Sequence, residues 1–412
     1  MNKKIPEIRF KGFNDEWISN NLGDMIDISS ASRVHKDEWT SEGIPFFRSS
    51  DVISKYMRKY NTPAFISDTL YQELSKKSGK MKVGDLLVTG GGTIGVPYLI
   101  ENEDPLYFKD ADLIWLKNAG VIDGRFLYNF YISPQTRRYI SSITHIGTIS
   151  HYTIEQGKNT PISFPVKSEQ EKIGTFFKQL DVTIALQQQL VEQQQQYKKA
   201  MIQKMFPQKG ERVPKVRFDG FSGDWVNEKL SCFFKKYQEI IYLNDNKEYS
   251  QISIRNNGLV EFRGIKKGID IGRKRQYLVN TKDYPNTLTF TRQTIYEGGI
   301  GFIPEVLNGS IVTENMPLLS MNQNLNSNFI LSLFKTQLYY QNVIEKNMPI
   351  GSAQKALHEK VWLESELLFP SLEEQQKIGA FFKQLDDTIA LHQKKLEDYQ
   401  QLKKSLLQRM FV

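Results

Sequence analysis

Residues 169–206 and 374–411 are near-copies of one another: aligned without gaps, 24 of 38 positions are identical. A second pair opens each half of the chain, where Pro6–Trp17 and Pro214–Trp225 agree at 6 of 12 positions. The two offsets, 205 and 208 residues, are nearly equal. The chain is therefore one plan written twice: an opener, a region of about 150 residues, and a 38-residue segment. Such a repeat constrains the fold before any local propensity does, because whatever packs in one half has a counterpart in the other.

The repeated segment reads as helix. Neither copy contains proline, and each holds one glycine, Gly174 or Gly379. Apolar residues return at alternating steps of four and three, at Ile173, Phe177, Leu180 and Ile184 in the first copy and Ile378, Phe382, Leu385 and Ile389 in the second. That 3.5-residue period is the seam of a coiled coil. Further along, the stripe passes through polar Gln187, Gln194, Lys198, His392 and Lys403. Two like helices following two like domains are expected to be related by an internal two-fold axis, antiparallel and seam to seam. Pro207 and Gly210 close the first helix. The expected division is a globular region over 1–168, a helix over 169–206, a linker over 207–213, a second globular region over 214–373 and a helix over 374–412.

The intervening regions diverge. Gly84–Thr89 reads as a turn and strand, Leu113–Leu116, Leu288–Thr291 and Pro317–Ser320 as strands, and Phe126–Tyr139 and Asn328–Ile344 as helices. Strands and helices mix irregularly, so the fold class is α+β, with two globular regions separated by long antiparallel helices.

Charge is mildly basic: 54 Lys and Arg against 46 Asp and Glu, net +8. This permits a polyanionic partner without demanding one. The lone Cys232 excludes an internal disulfide and any multi-cysteine zinc site. No apolar run reaches the ~18 residues of a membrane span, and the amino-terminal residues lack the apolar core of a signal peptide. A cytoplasmic protein with no membrane partner is the expectation.

Catalytic signatures are absent. Gly90-Gly91-Gly92-Thr93-Ile94-Gly95 fits G-x-G-x-x-G, but Val96-Pro97-Tyr98-Leu99 follows where a dinucleotide site needs a helix. The loop, with Gly91 and Thr93, is read instead as one whose backbone can approach a ligand. There is no P-loop and no H-E-x-x-H, and the five histidines show no metal spacing; no metal site is expected. Binding signals are stronger. Arg263, Lys266, Lys267, Arg273, Lys274 and Arg275 cluster among glycines, as in a loop or hairpin that meets a phosphate strand. Forked or polar donors suited to base edges are Arg48, Ser49 and Ser50 in the first region, and Arg255, Asn256, Asn257, Arg292 and Gln293 in the second.

These features together resemble the specificity (S) subunit of bacterial type I restriction–modification enzymes. The resemblance rests on the two-copy layout, the opener ending Phe-x-Gly-Phe…Trp, and a helix start running Phe-Pro…Glu-Gln-x-Lys-Ile-Gly-x-Phe-Phe…Leu-Asp, present at Phe164–Asp181 and Phe369–Asp386. It implies two target recognition domains that each read half of a bipartite, asymmetric site in double-stranded DNA, and paired helices whose length helps fix the spacer. It implies no catalysis and no cofactor on this chain. Two modification subunits would bring S-adenosylmethionine, and two restriction subunits ATP and Mg²⁺. Pro45–Val52 and Tyr249–Arg255 resemble the family's early strand and loop. Its late glycine-led loop is matched by Gly147–His151, with Thr148, Ser150 and His151, and by Gly351–Lys355, with Ser352, Gln354 and Lys355. Thr291-Arg292 keeps a mid-domain Thr-Arg that Thr89-Gly90 lacks. The alternatives are a coiled-coil adaptor joining two protein-binding domains, and an undetected nuclease or methyltransferase.

Overall fold

The computed structural model describes residues 5–110, 112–118, 120–144, 151–348 and 356–412. Thr148, Ser150, Ser352, Gln354 and Lys355 lie outside the described residues. The chain divides into two compact units, one formed by residues up to Gln188 with Lys394–Val412, the other by Gln189–Gln393. The long helices, Lys167–Met205 and Leu372–Arg409, thus each contribute one stretch to each unit.

In the first unit, a four-stranded sheet has the spatial order Asp27–Ser29, Leu113–Lys117, Leu86–Thr89, Pro97–Leu99. Its central strands are short apolar runs, and all four residues of Leu86–Thr89 are buried, as expected for strands covered on both faces. A second sheet holds Trp39–Thr40, Phe65–Ile66, Ile44–Phe47 and Tyr107–Phe108. The expected helix over Phe126–Tyr139 is two helices, Gly124–Ile132 and Pro134–Thr144. Pro134 cannot donate its missing N–H to a continuing helix, but suits the first turn of a new one. Pro97–Leu99 is extended, in keeping with rejection of a dinucleotide site.

The second unit repeats the four-stranded order with Phe234–Tyr237, Leu318–Met321, Thr287–Phe290 and Ile300–Phe302. It adds a five-stranded sheet ordered Ile240–Tyr242, Arg275–Leu278, Ile311–Val312, Glu248–Ile254, Val260–Lys267. The expected helix over Asn328–Ile344 is broken: Thr336 caps a new turn at Gln337–Tyr339, and a wider-wound turn follows at Tyr340–Ile344.

Both units share a frame, and the repeated residues build it. The strand after each opener pairs with the strand before each long helix: Ile18–Asn21 with Pro161–Phe164, and Val226–Lys229 with Glu366–Phe369. The opener arginine makes a two-bond pair with a buried glutamate on the first turns of the helix. Arg9 reaches Glu169 at 2.7 and 2.8 Å, and Arg217 reaches Glu374 at 2.7 Å through both nitrogens. Gln170 and Gln375 accept from the backbone N–H of Asp123 and Asn326, the residues that cap the neighbouring domain helices.

The opener tryptophans are buried against the far end of the other repeat's helix. Trp17 packs on Phe126 and Phe411 in the first unit; Trp225 packs on Phe329 and Phe206 in the second. Backbone bonds make the same exchange, Ile8 N–H to the Arg409 carbonyl and Val216 N–H to the Lys204 carbonyl. In each unit the paired helix stretches run antiparallel. Phe177 meets Phe411 while Asp181 meets Lys403; Phe382 meets Phe206 while Asp386 meets Lys198. The seam residues Ile173, Phe177, Leu180 and Ile184 are buried in the first unit's main core, and Ile378 and Phe382 in the second's, with Leu385 packed at its margin and Ile389 half-buried. The start of each stripe is therefore domain core as much as coiled-coil seam. The polar stripe positions Lys198 and Lys403 are explained by their aspartate partners.

Candidate nucleic-acid interface

Arg48 stands at the start of helix Ser49–Met57, and its side chain turns back onto that helix. Its Nε donates to Asp51 Oδ2 at 2.7 Å and its Nη2 to Asp51 Oδ1 at 3.0 Å and to the Thr62 carbonyl at 2.6 Å. Burial pushes the Asp51 carboxyl up, but the Arg48 contacts outweigh it and hold the group below the usual carboxylate range. The fork expected at a base edge is thus occupied by a neighbour three residues on. Ser49 donates to the Asp112 carbonyl at 2.8 Å, while Ser50 is exposed.

The glycine loop lies beside His151 and Tyr152. Tyr152 N–H donates to the Gly90 carbonyl at 2.8 Å, and a Cβ at Gly91 would sit 3.8 Å from His151 Nδ1. His151 and Thr93 are exposed. The structure therefore brings Gly91 beside His151, a residue distant in the chain. Sequence reasoning passed over the segment Tyr56-Met57-Arg58-Lys59-Tyr60, where Arg58 adopts a left-handed conformation and Tyr60 is 88% exposed.

In the second unit Arg292 resembles Arg48. It is 11% exposed and grips Glu359 through Nε at 3.0 Å and Nη2 at 2.6 Å, with Lys236 on the other carboxylate oxygen. Burial pushes the Glu359 carboxyl up, and the Lys236 and Arg292 bonds overcome it, bringing it down to about 2. Gln293 beside it is half-buried.

The basic cluster is a sheet edge followed by a turn. Arg263, Lys266 and Lys267 lie on the edge strand Val260–Lys267, Arg273 and Lys274 on the turn after it, and Arg275 on the next strand. All six are exposed, but they are not equivalent. Arg273 pairs with Glu314 at 3.1 Å, Lys274 with Asp245 at 2.5 Å, and Arg275 lies over the Tyr277 ring. Among the described residues, Arg263, Lys266 and Lys267 make no ion pair or hydrogen bond through their side chains. Arg255, Asn256 and Asn257 occupy the turn joining this strand to Glu248–Ile254. Arg255 pairs with Glu261 at 2.7 Å, Asn256 donates to Glu297 at 2.5 Å, and Asn257 accepts from Leu259 N–H at 3.0 Å. Their contacts hold the turn. Sequence reasoning missed the exposed Phe262 and Ile265 on the same strand as the basic residues; their place next to Arg263 and Lys266 was the available signal.

No helix of the described residues is long and apolar enough to cross a membrane. A family model described as the type I restriction modification DNA specificity domain matches residues 14–194 and 226–400. A putative type I restriction enzyme specificity subunit, S.HindORF215P of Haemophilus influenzae, is 31% identical over 154 residues, 37% of this chain and 37% of that protein. The chain thus matches little more than a third of that curated relative's length. Among solved structures, the S subunit of a type I restriction–modification system from M. genitalium aligns over 99% of both chains, with TM-score 0.59 and 17% identity. A chain from work on complex assembly and conformational transition of the type I R-M system aligns over 95% of this chain and 96% of that one, with TM-score 0.51 and 15% identity. At these identities the structural likeness is one of fold.

Proposed function

Because the chain belongs to the type I restriction modification DNA specificity family, we propose that it is the non-catalytic DNA-reading subunit of a type I restriction–modification complex. Each unit reads one half of a bipartite, asymmetric target in double-stranded DNA. The long helices dock two modification subunits and set the spacer. Methylation with S-adenosylmethionine, and ATP-driven restriction, belong to partner subunits.

The supporting observation is the contrast within the chain. Two frames are built from the same residues in the same contacts, Arg9–Glu169 beside Arg217–Glu374 and Trp17–Phe411 beside Trp225–Phe206. They carry different inserts, among them a helix at Ser49–Met57 in one and a five-stranded sheet in the other. A constant frame with unlike inserts suits a reader of two unlike half-sites. Exposed, unpaired basic side chains at Arg263, Lys266 and Lys267 suit a nucleic-acid partner.

Cells expressing the chain with its modification subunits are expected to show N6-methyladenine in a two-part motif. Replacing residues 18–165 with those of another family member should change one half of the motif and leave the other intact. A methylome with no bipartite motif, or a swap that alters both halves, refutes the reading. An adaptor would show no duplex binding at any salt concentration, with or without partner subunits, whereas a DNA reader loses affinity steeply as salt rises.

A further inference from the structure

In the hairpin of Glu248–Ile254 and Val260–Lys267, most residues of the second strand are exposed. Val260–Lys267 is a sheet edge, and its partner strand joins the rest of the sheet at one position, Gln251 opposite Ile311. Both ends are nevertheless held. At the closed end Asn256 donates to Glu297, and Gly258 lies against the Ile300 carbonyl so closely that a Cβ would sit 2.5 Å from it. At the open end Gly268 N–H donates to the Lys247 carbonyl at 2.8 Å, and Lys274 donates to the Gly268 carbonyl at 2.7 Å. The span between is anchored at both ends and its edge strand is mostly exposed.

Its side chains are not those of a strand awaiting a protein neighbour. Edge strands that pair with protein offer few charges, whereas this one carries Arg263, Lys266 and Lys267, all exposed. Two apolar groups stand among them, Phe262 at 53% and Ile265 at 57% exposure. The facing carboxylates are few: Glu261 is engaged by Arg255, and Glu248 lies opposite Lys267. The register shifts between Gln251 and Ile252, so that Gln251 faces Gly264 and Ile252 faces Phe262. Arg263 is the extra residue of this bulge. A bulge tightens twist and re-aims one side chain, and Gly264, at φ +147° with open space around it, supplies the conformation.

A two-stranded ribbon, with strands ~4.8 Å apart, fits the major groove of B-DNA, ~12 Å wide. Guanidinium forks there read guanine O6 and N7, and apolar groups meet the thymine methyl. We infer that this hairpin is the base-reading element of the second unit, entering the major groove as a ribbon. Arg263 selects a base, Phe262 and Ile265 contact base edges, and Lys266 and Lys267 hold phosphates. The inference rests on the DNA-specificity reading above and adds which element reads, and by which residues.

The test uses the full chain in complex with its modification subunits, binding duplexes that carry its methylated motif across a salt series. K266A/K267A should lower the slope of log affinity against log salt by about 2, because each lost phosphate contact removes roughly 0.9, and leave the motif unchanged. R263K keeps the charge but loses the fork. Its slope should equal the wild type's, while discrimination at one base pair of the second unit's half-site falls roughly 5- to 150-fold. 7-Deazaguanine at that pair should weaken wild type and not R263K, which marks the major groove. Unchanged melting temperatures are expected, since these side chains are exposed. Full discrimination by R263K, a change confined to the other half-site, or loss of complex assembly with an unaltered slope overturns the inference and leaves the specificity reading standing. Wild-type complex with neither a motif nor salt-dependent binding overturns both.

Discussion

Arg48 and Arg292 show how a residue chosen for its chemistry can be assigned elsewhere by its neighbours. A guanidinium fork suits guanine and a carboxylate equally well, and in both places a carboxylate takes it. Asp51 was visible three residues along from Arg48; Glu359 is 67 residues from Arg292, and no local pattern connects them. The Glu359 carboxyl is held at about 2, below its ordinary value of 4.5, so the unfolded chain takes up the proton first as pH falls. Stability from this cluster is complete above the ordinary value and disappears as pH drops towards about 2. Arg292→Ala should cost about 2–3 kcal/mol at neutral pH, the scale of hydrogen bonds to a charged group. The gap between wild type and variant in denaturant titrations should narrow as pH falls through that window. A gap that does not change with pH would place the role of Arg292 elsewhere. The free forks are the ones that reach solvent with no carboxylate on them, and that distinction required coordinates.

At the scale of elements, the two long helices owe their likeness to what their first turns touch. Gly174 and Gly379 have helical backbone that any residue adopts, so conformational freedom does not explain them. Close approach does. A Cβ at Gly174 would lie 2.5 Å from Asp123 Oδ1 and 2.8 Å from Arg125 Cβ; one at Gly379 would meet Asn326 Oδ1 and the Phe329 nitrogen at 2.9 Å. Asp123 and Asn326 cap the adjoining domain helices, so the long helix is pressed against a cap that cannot move without losing its bonds. Alanine would gain about 1 kcal/mol of helix propensity at either position. Overpacking costs about 1–3 kcal/mol, and disturbing the cap about 1 kcal/mol more. Gly174→Ala and Gly379→Ala are therefore expected to lower the melting temperature. A rise would mean the contact relaxes freely. The helical period, the missing prolines and the glycines were all legible in the chain; the reason for the glycines was not, because the atoms they make room for lie 51 and 53 residues away.

At the scale of the whole molecule, the units of structure are not the units of the repeat. Each opener tryptophan is covered by the phenylalanine that ends the other copy's helix, Phe411 in the first unit and Phe206 in the second. Phe411→Ala should therefore destabilise the first unit and Phe206→Ala the second, each by about 3–5 kcal/mol, as for other large-to-small core changes. Hydrogen exchange reads this directly: loss of protection in residues 5–188 for the first variant and in 214–373 for the second. The opposite assignment would contradict the exchange. By itself the sequence determined the duplication, the two long helices, a buried central strand over Leu113–Leu116 and the α+β class, since each is carried by periodicity or by a short apolar run within reach of a local reading. Tertiary structure alone decided which helix end completes which core, that Arg9 and Glu169 close one frame as Arg217 and Glu374 close the other, and which basic side chains stay unpaired. The physical reason is that a repeat written twice contains two identical sets of partners. Matching sequences cannot say which copy satisfies which; only the burial of particular rings and carboxylates does.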